Sequence, residues 1–139
     1  MSALASPSPA YAFAASPCGG LRTQLNGAAV TLRASGALWI EDQRMLVVAD
    51  LHLEKGSAYA IRGQMLPPYD TRETLRRLQA EVMATLPDTV VLLGDTFHDR
   101  KAEDRLARDD AQTLRALAGA TRLIWVIGNH DADGPQALP

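Results

Sequence analysis

The sequence has little of several features that would assign a protein to a class at once. Cysteine occurs once in 139 residues, at Cys18, which excludes an intrachain disulfide and a zinc site built from several cysteines. Fourteen lysines and arginines stand against sixteen aspartates and glutamates, so the basic excess typical of nucleic-acid-binding proteins is missing. No apolar run approaches the roughly 18 residues of a membrane span. These absences favour a cytoplasmic protein without a membrane segment.

The N-terminus also lacks the marks of an export signal. Its first twenty residues have neither a basic start nor a sustained apolar stretch. A chain of this length is within the usual size range of one domain. We therefore expect residues 1–20 to be a flexible, uncleaved N-terminus and residues 21–139 to form a single domain.

The rest of the chain contains the patterns of an α/β fold. Three short runs between residues 28 and 49 are rich in apolar and β-favouring residues and predict successive strands. Apolar periodicity then predicts a helix over 71–86, a strand over 89–93, a helix over 103–118 and a strand in RLIWVIGNHD. This order predicts parallel pairing through crossovers, which brings the ends of the strands to one edge of the sheet.

Polar side chains follow three of these predicted strands. Asp50 and His52 follow MLVVA, Asp95 follows TVVLLG, and Asn129 and His130 follow RLIWVIG. On a regular strand Asp50 and His52 would share a face and offer one oxygen and one nitrogen to a divalent cation. Asp95 could bridge two ions about 3.5–4 Å apart, and Asn129 adds a neutral oxygen. His130, which titrates near neutral pH, could donate a proton to a leaving alkoxide.

Each motif alone also has an ordinary structural explanation. An Asp-x-His after a strand is more often a capped turn, and Gly-Asn-His can be a turn that tolerates positive φ. Three such motifs at converging strand ends favour a metal site. His98 could hydrogen-bond to a metal ligand or fill the cleft wall, and Asp131 could support its loop or the histidine beside it. Arg62 could contact a substrate phosphate, although exposed cations in loops are more often merely solvated.

The motifs together resemble a known signature. The set Asp50-x-His52, Gly94-Asp95-x-x-His98 and Gly128-Asn129-His130-Asp131 resembles the first three motifs of the calcineurin-like metallophosphoesterases. VADLHLEKGSAYAIRGQMLPPYDTRETL together with VVLLGDTFHDR is similar to the bacterial ligase-associated DNA-damage-response group of that superfamily. The resemblance covers roughly residues 36–131. It implies a β-sandwich flanked by helices that binds two divalent metal ions, usually manganese.

The resemblance also implies roles for individual residues. Asp50, His52 and Asp95 would hold the first metal, Asp95 and Asn129 the second, and His130 would protonate the leaving group. The implied activity is hydrolysis of phosphodiester bonds by a metal-activated water, as in a DNA-repair endonuclease functionally linked to DNA ligase and helicase. The residues by themselves also fit a small-molecule nucleotide phosphoesterase or pyrophosphatase, or an inactive metal-binding or interaction module.

One departure from the family pattern affects both the fold and the site. The family supplies a further histidine and a Gly-His-x-His motif from its second half, whereas this chain ends eight residues after Asp131. We therefore expect the N-terminal part of a truncated phosphoesterase fold, with an apolar face of the sheet left uncovered. The second metal would then have two protein ligands, which leaves the activity of this chain alone uncertain.

Overall fold

The computed structural model describes residues 13–16, 19–55, 58, 61 and 70–138. Its strands form one seven-stranded sheet in sequence order. They are β1 (Ala14–Ala15), β2 (Leu21–Leu25), β3 (Ala28–Leu32), β4 (Leu38–Ile40), β5 (Met45–Ala49), β6 (Thr89–Leu93) and β7 (Arg122–Val126). The helices are α1 (Asp70–Thr85), α2 (Ala102–Arg105) and α3 (Arg108–Ala120), and a 3-10 turn spans Glu41–Gln43. Within the described ranges, no helix has the length and apolar character needed to cross a membrane.

The first half of the sheet is antiparallel from β1 to β5. β2 and β3 form a hairpin in which Leu25 pairs with Ala28 across Asn26 and Gly27. Asn26 and Gly27 have φ of 49° and 83°, as a two-residue type I′ turn requires. β1, which lies within the segment predicted to be flexible, pairs with β2.

The second half of the sheet is parallel. β5 pairs with β6 and β6 with β7, and the connections between them contain α1 in the first case and α2 and α3 in the second. The strand–helix alternation in the sequence is therefore confirmed as parallel strands joined by helical crossovers. Because parallel strands point the same way, β5, β6 and β7 all end at one edge of the sheet.

The hydrophobic core lies between the helices and one face of this sheet. Leu46, Val90 and Leu92 point from β5 and β6 into the core and are fully buried. The helices contribute the apolar stripes that their periodicity predicted, with Leu75 and Leu78 from α1 and Leu114 and Leu117 from α3. Burying these side chains is the main favourable contribution to the stability of the domain.

The opposite face of the sheet carries apolar side chains that stay accessible. Side chains alternate between the faces along a strand, so Leu21, Leu25 and Leu32 share a face with Leu93 and Val126 across the paired strands. These five are 38–50% exposed, whereas the helices pack on the other face. This agrees with the prediction of an uncovered apolar face.

The prediction of one continuous helix over 103–118 was wrong. It is divided into α2 and α3, because Leu106 and Ala107 adopt extended backbone conformations with ψ of 129° and 146°. Arg105 at the end of α2 pairs with Asp99 and donates to the backbone oxygen of Glu54. Neither glycine nor proline marks the break, so tertiary contacts override a local sequence that remains compatible with a helix.

Candidate metal centre

The backbone pairing of β5 and β6 continues beyond the two strands in an irregular form. The N–H of Asp50 donates to the oxygen of Gly94 (3.2 Å), and the N–H of His52 donates to the oxygen of Asp95 (3.0 Å). Leu53 then forms a parallel bridge with Phe97. These bonds hold the segment with Asp50 and His52 against the segment with Asp95.

Several residues of these two segments adopt the left-handed conformation. Asp50, His52 and Glu54 have φ of 52°, 47° and 65°, and Asp95 has φ of 49°. β5 ends at Ala49, so the expectation that Asp50 and His52 share a face of a regular strand was wrong. They meet because alternate residues turn left-handed, a conformation that costs roughly 1–3 kcal/mol per residue and that clusters at functional sites.

Three of the predicted ligands come together at this edge. Asp50, His52 and Asp95 each offer a ligand atom, and the three atoms lie within 4.8 Å of one another. The Oδ1 of Asp50 lies 3.9 Å from the Nε2 of His52. Two carboxylates and one imidazole in this arrangement fit a divalent cation, since oxygen and nitrogen donors suit such ions.

The loop after β7 approaches Asp95 closely. The N–H of His130 donates to the Oδ1 of Asp95 at 2.9 Å, and the N–H of Gly94 donates to the oxygen of Val126. A Cβ placed on Gly128 would lie 2.5 Å from the backbone nitrogen of Asp95 and closer still to its carboxylate. Only glycine therefore allows this approach.

The rings of the three histidines of the chain lie close to one another at this edge of the sheet. The ring centroid of His52 lies 5.2 Å from that of His130 and 5.9 Å from that of His98. The rings of His98 and His130 are stacked at 5.7 Å. Burial is the main cause that lowers the pKa of His98, and the nearby His130 and His52 act in the same direction. The His98 ring therefore packs beside the rings of His52 and His130 at this edge of the sheet.

The remaining predicted site residues are placed as follows. Asn129 is exposed and lies between the two residues that contact Asp95, and its role as a ligand stays a prediction. Asp131 is 5% exposed, and its carboxylate accepts hydrogen bonds from backbone N–H groups of both loops. Arg62, predicted to contact substrate, lies outside the described residues.

One supporting residue was missed by the sequence analysis. Glu54 is buried and exchanges two hydrogen bonds with Thr71, whose Oγ1 accepts from the Glu54 N–H (2.8 Å) and donates to its carboxylate (2.5 Å). The signal that could have found Glu54 is the spacing of Asp50, His52 and Glu54, which places a polar residue at every second position.

A cleft of about 260 Å³ opens beside Asp50. Its wall contains Asp50 and Leu51, which follow β5, the turn at Gly36, and Thr74 and Arg77 from α1. Of the three residues of the cluster, Asp50 alone lines this cleft, which also has the guanidinium group of Arg77 at its border.

The fold and the carboxylate–histidine cluster together define a metallophosphoesterase domain. A model of the calcineurin-like phosphoesterase family matches residues 43–139. The chain belongs to this family. No curated protein matches the chain.

The structure is also similar to the crystal structure of nuclease MPE from Pseudomonas putida. The two share 28% sequence identity with a TM-score of 0.69. The alignment covers 85% of this chain and 56% of the nuclease, so the chain spans little more than half of the nuclease's length. The predicted partial phosphoesterase fold is thereby confirmed.

Proposed function

We propose that this chain carries the first half of the catalytic site of a divalent-metal-dependent phosphodiesterase. The observation that carries the proposal is the convergence of Asp50, His52 and Asp95 to within 4.8 Å at the ends of β5 and β6. Family membership gives the class of bond, a phosphoester. The similarity to a nuclease supports a nucleic-acid phosphodiester as the substrate.

We assign the residues of the site as follows. Asp50, His52 and Asp95 hold one ion, Asp95 and Asn129 contribute to a second, and the family resemblance makes manganese the expected metal. Bound ions of this kind lower the pKa of water and polarise phosphoryl oxygens. His130, whose ring lies beside that of His52, delivers a proton to the leaving oxygen.

The cellular role follows only from the sequence resemblance. The similarity of residues 48–75 to the ligase-associated DNA-damage-response group favours a repair endonuclease that works with DNA ligase and helicase. A small nucleotide diester or pyrophosphate is the alternative substrate, because the cleft beside Asp50 is of modest size. The exposed leucines on the uncovered sheet face favour a second alternative, an inactive interaction module.

Manganese titration of the metal-free chain by calorimetry tests the proposal. We expect binding at micromolar concentration, and we expect Asp95→Ala to weaken it by about a hundredfold or more. Asp88→Ala is the matched control, because Asp88 is an exposed carboxylate that precedes the same strand at its other end. Wild-type protein without micromolar manganese binding would contradict the proposal.

Hydrolysis assays then distinguish the candidate substrates. We expect manganese-dependent cleavage of bis-(p-nitrophenyl) phosphate, and Asp95→Ala should abolish it. Nicked, single-stranded and duplex DNA compared with a panel of nucleotides will separate a nuclease from a small-molecule phosphoesterase. Metal binding without turnover on any of them would favour the inactive module, and a dimer in light scattering would support it further.

A further inference from the structure

Asp131 connects two loops that carry different predicted metal ligands. Its Oδ2 accepts hydrogen bonds from the backbone N–H groups of Thr96 (2.8 Å) and Phe97 (3.2 Å), which directly follow Asp95. Its Oδ1 accepts from the N–H of Gly128 (2.7 Å), which directly precedes Asn129. One buried carboxylate therefore binds the loop after β6 with one oxygen and the loop after β7 with the other.

The connection is reciprocal. While Asp131 receives hydrogen bonds from the Asp95 loop, Asp95 receives one from the N–H of His130 in the Asp131 loop. The carboxylates of Asp95 and Asp131 thus each accept backbone hydrogen bonds from the loop that contains the other carboxylate. Displacement of either loop would break bonds at both ends, so the two loops are constrained to one relative position.

We propose that Asp131 is the positioning residue that fixes Asp95 relative to Asn129, and so forms the two metal sites as a pair. This inference rests on the proposed function. Asp131 does not coordinate metal in this scheme, because its oxygens are occupied by three N–H groups and it is 5% exposed. A buried carboxylate is stable only when it is well hydrogen-bonded, and hydrogen bonds to a charged acceptor are stronger than neutral ones.

The substitution Asp131→Asn tests this role without making a cavity. An asparagine side chain has the same shape but only one acceptor oxygen, and its amide group is a donor. Whichever way the amide turns, the NH₂ group must face backbone N–H donors of one loop. That loop loses its attachment while the other keeps it. Metal affinity should therefore fall even though the domain remains folded.

A purely structural link would look similar in a stability measurement, so a matched control is needed. Glu103 in α2 also accepts three backbone N–H groups, from Gln136, Ala137 and Leu138 at 2.7–2.9 Å. It attaches the segment after the metal-ligand loop rather than the ligands themselves. Glu103→Gln should lower the thermal unfolding temperature without changing the affinity for manganese.

The experiment measures manganese affinity by calorimetry, thermal unfolding and steady-state hydrolysis for the wild type, Asp131→Asn and Glu103→Gln. We expect Asp131→Asn to weaken manganese binding by about 10–100-fold, as is typical when groups that orient metal ligands are removed. Excess manganese should restore much of kcat while KM for the diester stays near the wild-type value. Glu103→Gln should bind manganese like the wild type.

The possible outcomes separate this inference from the proposed function. If Asp131→Asn binds manganese as tightly as the wild type, Asp131 has only a structural role and the inference is overturned. If the wild type itself binds no manganese, the proposed function fails and the inference falls with it. Should Asp131→Asn not fold, Asp131→Glu keeps the charge and both oxygens but lengthens the link by one methylene. It should still weaken manganese binding, and wild-type affinity in that variant would also overturn the inference.

Discussion

The antiparallel and parallel halves of the sheet differ in both burial and chemistry. In the parallel half, Leu46, Val90 and Leu92 are fully buried under α1 and α3. In the antiparallel half, β2 has no buried residue on either of its faces. The predicted metal ligands all follow parallel strands. The difference shows how the site arises, because only helical crossovers return each strand in the same direction and bring its polar end to a common edge.

Among variants that compare the two halves of the sheet, the largest effect is expected at Gly128 in the parallel half. Gly128→Ala places a methyl group against the backbone and carboxylate of Asp95, so it should displace the ligand. We expect manganese affinity to fall by about a hundredfold, as measured by calorimetry.

The matched control lies in the antiparallel half. Gly27 has φ of 83° and open space around its Cα, so Gly27→Ala costs roughly 1–2 kcal/mol of backbone strain without a collision. It should destabilise the hairpin and leave manganese binding intact. Equal manganese affinity in the two variants would show that close approach at Gly128 is unimportant for the site.

A second comparison concerns the free energy of unfolding in the two halves. Leu92→Ala removes a fully buried side chain from the core and should cost about 2–5 kcal/mol. Leu25→Ala, on a side chain that is half exposed, should cost less than about 1 kcal/mol. Urea denaturation of both variants measures the difference. Similar losses would mean that the exposed face of β2 is buried in solution.

The smallest effect on the free energy of unfolding is expected from a group of charged residues on the solvent side of α1, away from both faces of the sheet. Hydrogen bonds from Arg76 and Arg77 lower the pKa of Glu73 from 4.5 to about 2. Since the folded state lowers this pKa, the stabilisation is complete above pH 4.5 and is lost as the pH falls towards 2. Glu73→Gln should remove this acid-dependent part of the unfolding curve. An unchanged curve below pH 4.5 would show that these exposed pairs contribute nothing.

The parallel half was predictable from the sequence because its signals are local and strong. Strand 89–93 was predicted with the bounds of β6, since a continuous apolar run that opens into Gly94 and Asp95 is typical of a covered parallel strand. α1 was predicted from its apolar periodicity. Asp50, His52 and Asp95 were expected to meet because parallel strands end at one edge.

The parts that were missed depend on contacts that no local pattern records. β2 was not predicted, since only Leu21 and Leu25 of its five residues are apolar, although Asn26-Gly27 is a strong hairpin signal. The interruption between α2 and α3 depends on partners of Arg105 that are distant in sequence. Two of the three hydrogen bonds of Asp131 join residues more than thirty positions apart and could not be inferred from its motif.

The left-handed backbone conformations at this edge of the sheet restrict which amino acids can occupy these positions. Aspartate, asparagine and histidine are the non-glycine residues that most often tolerate positive φ, and they are also ordinary metal ligands. At Asp50, His52 and Asp95, the left-handed backbone conformation and metal coordination therefore favour the same few amino acids for two independent reasons. Glutamate can also coordinate a metal, but it adopts positive φ less readily than aspartate, so the backbone at position 50 favours the shorter acid, although Glu54 shows that this segment accommodates a glutamate at φ of 65°.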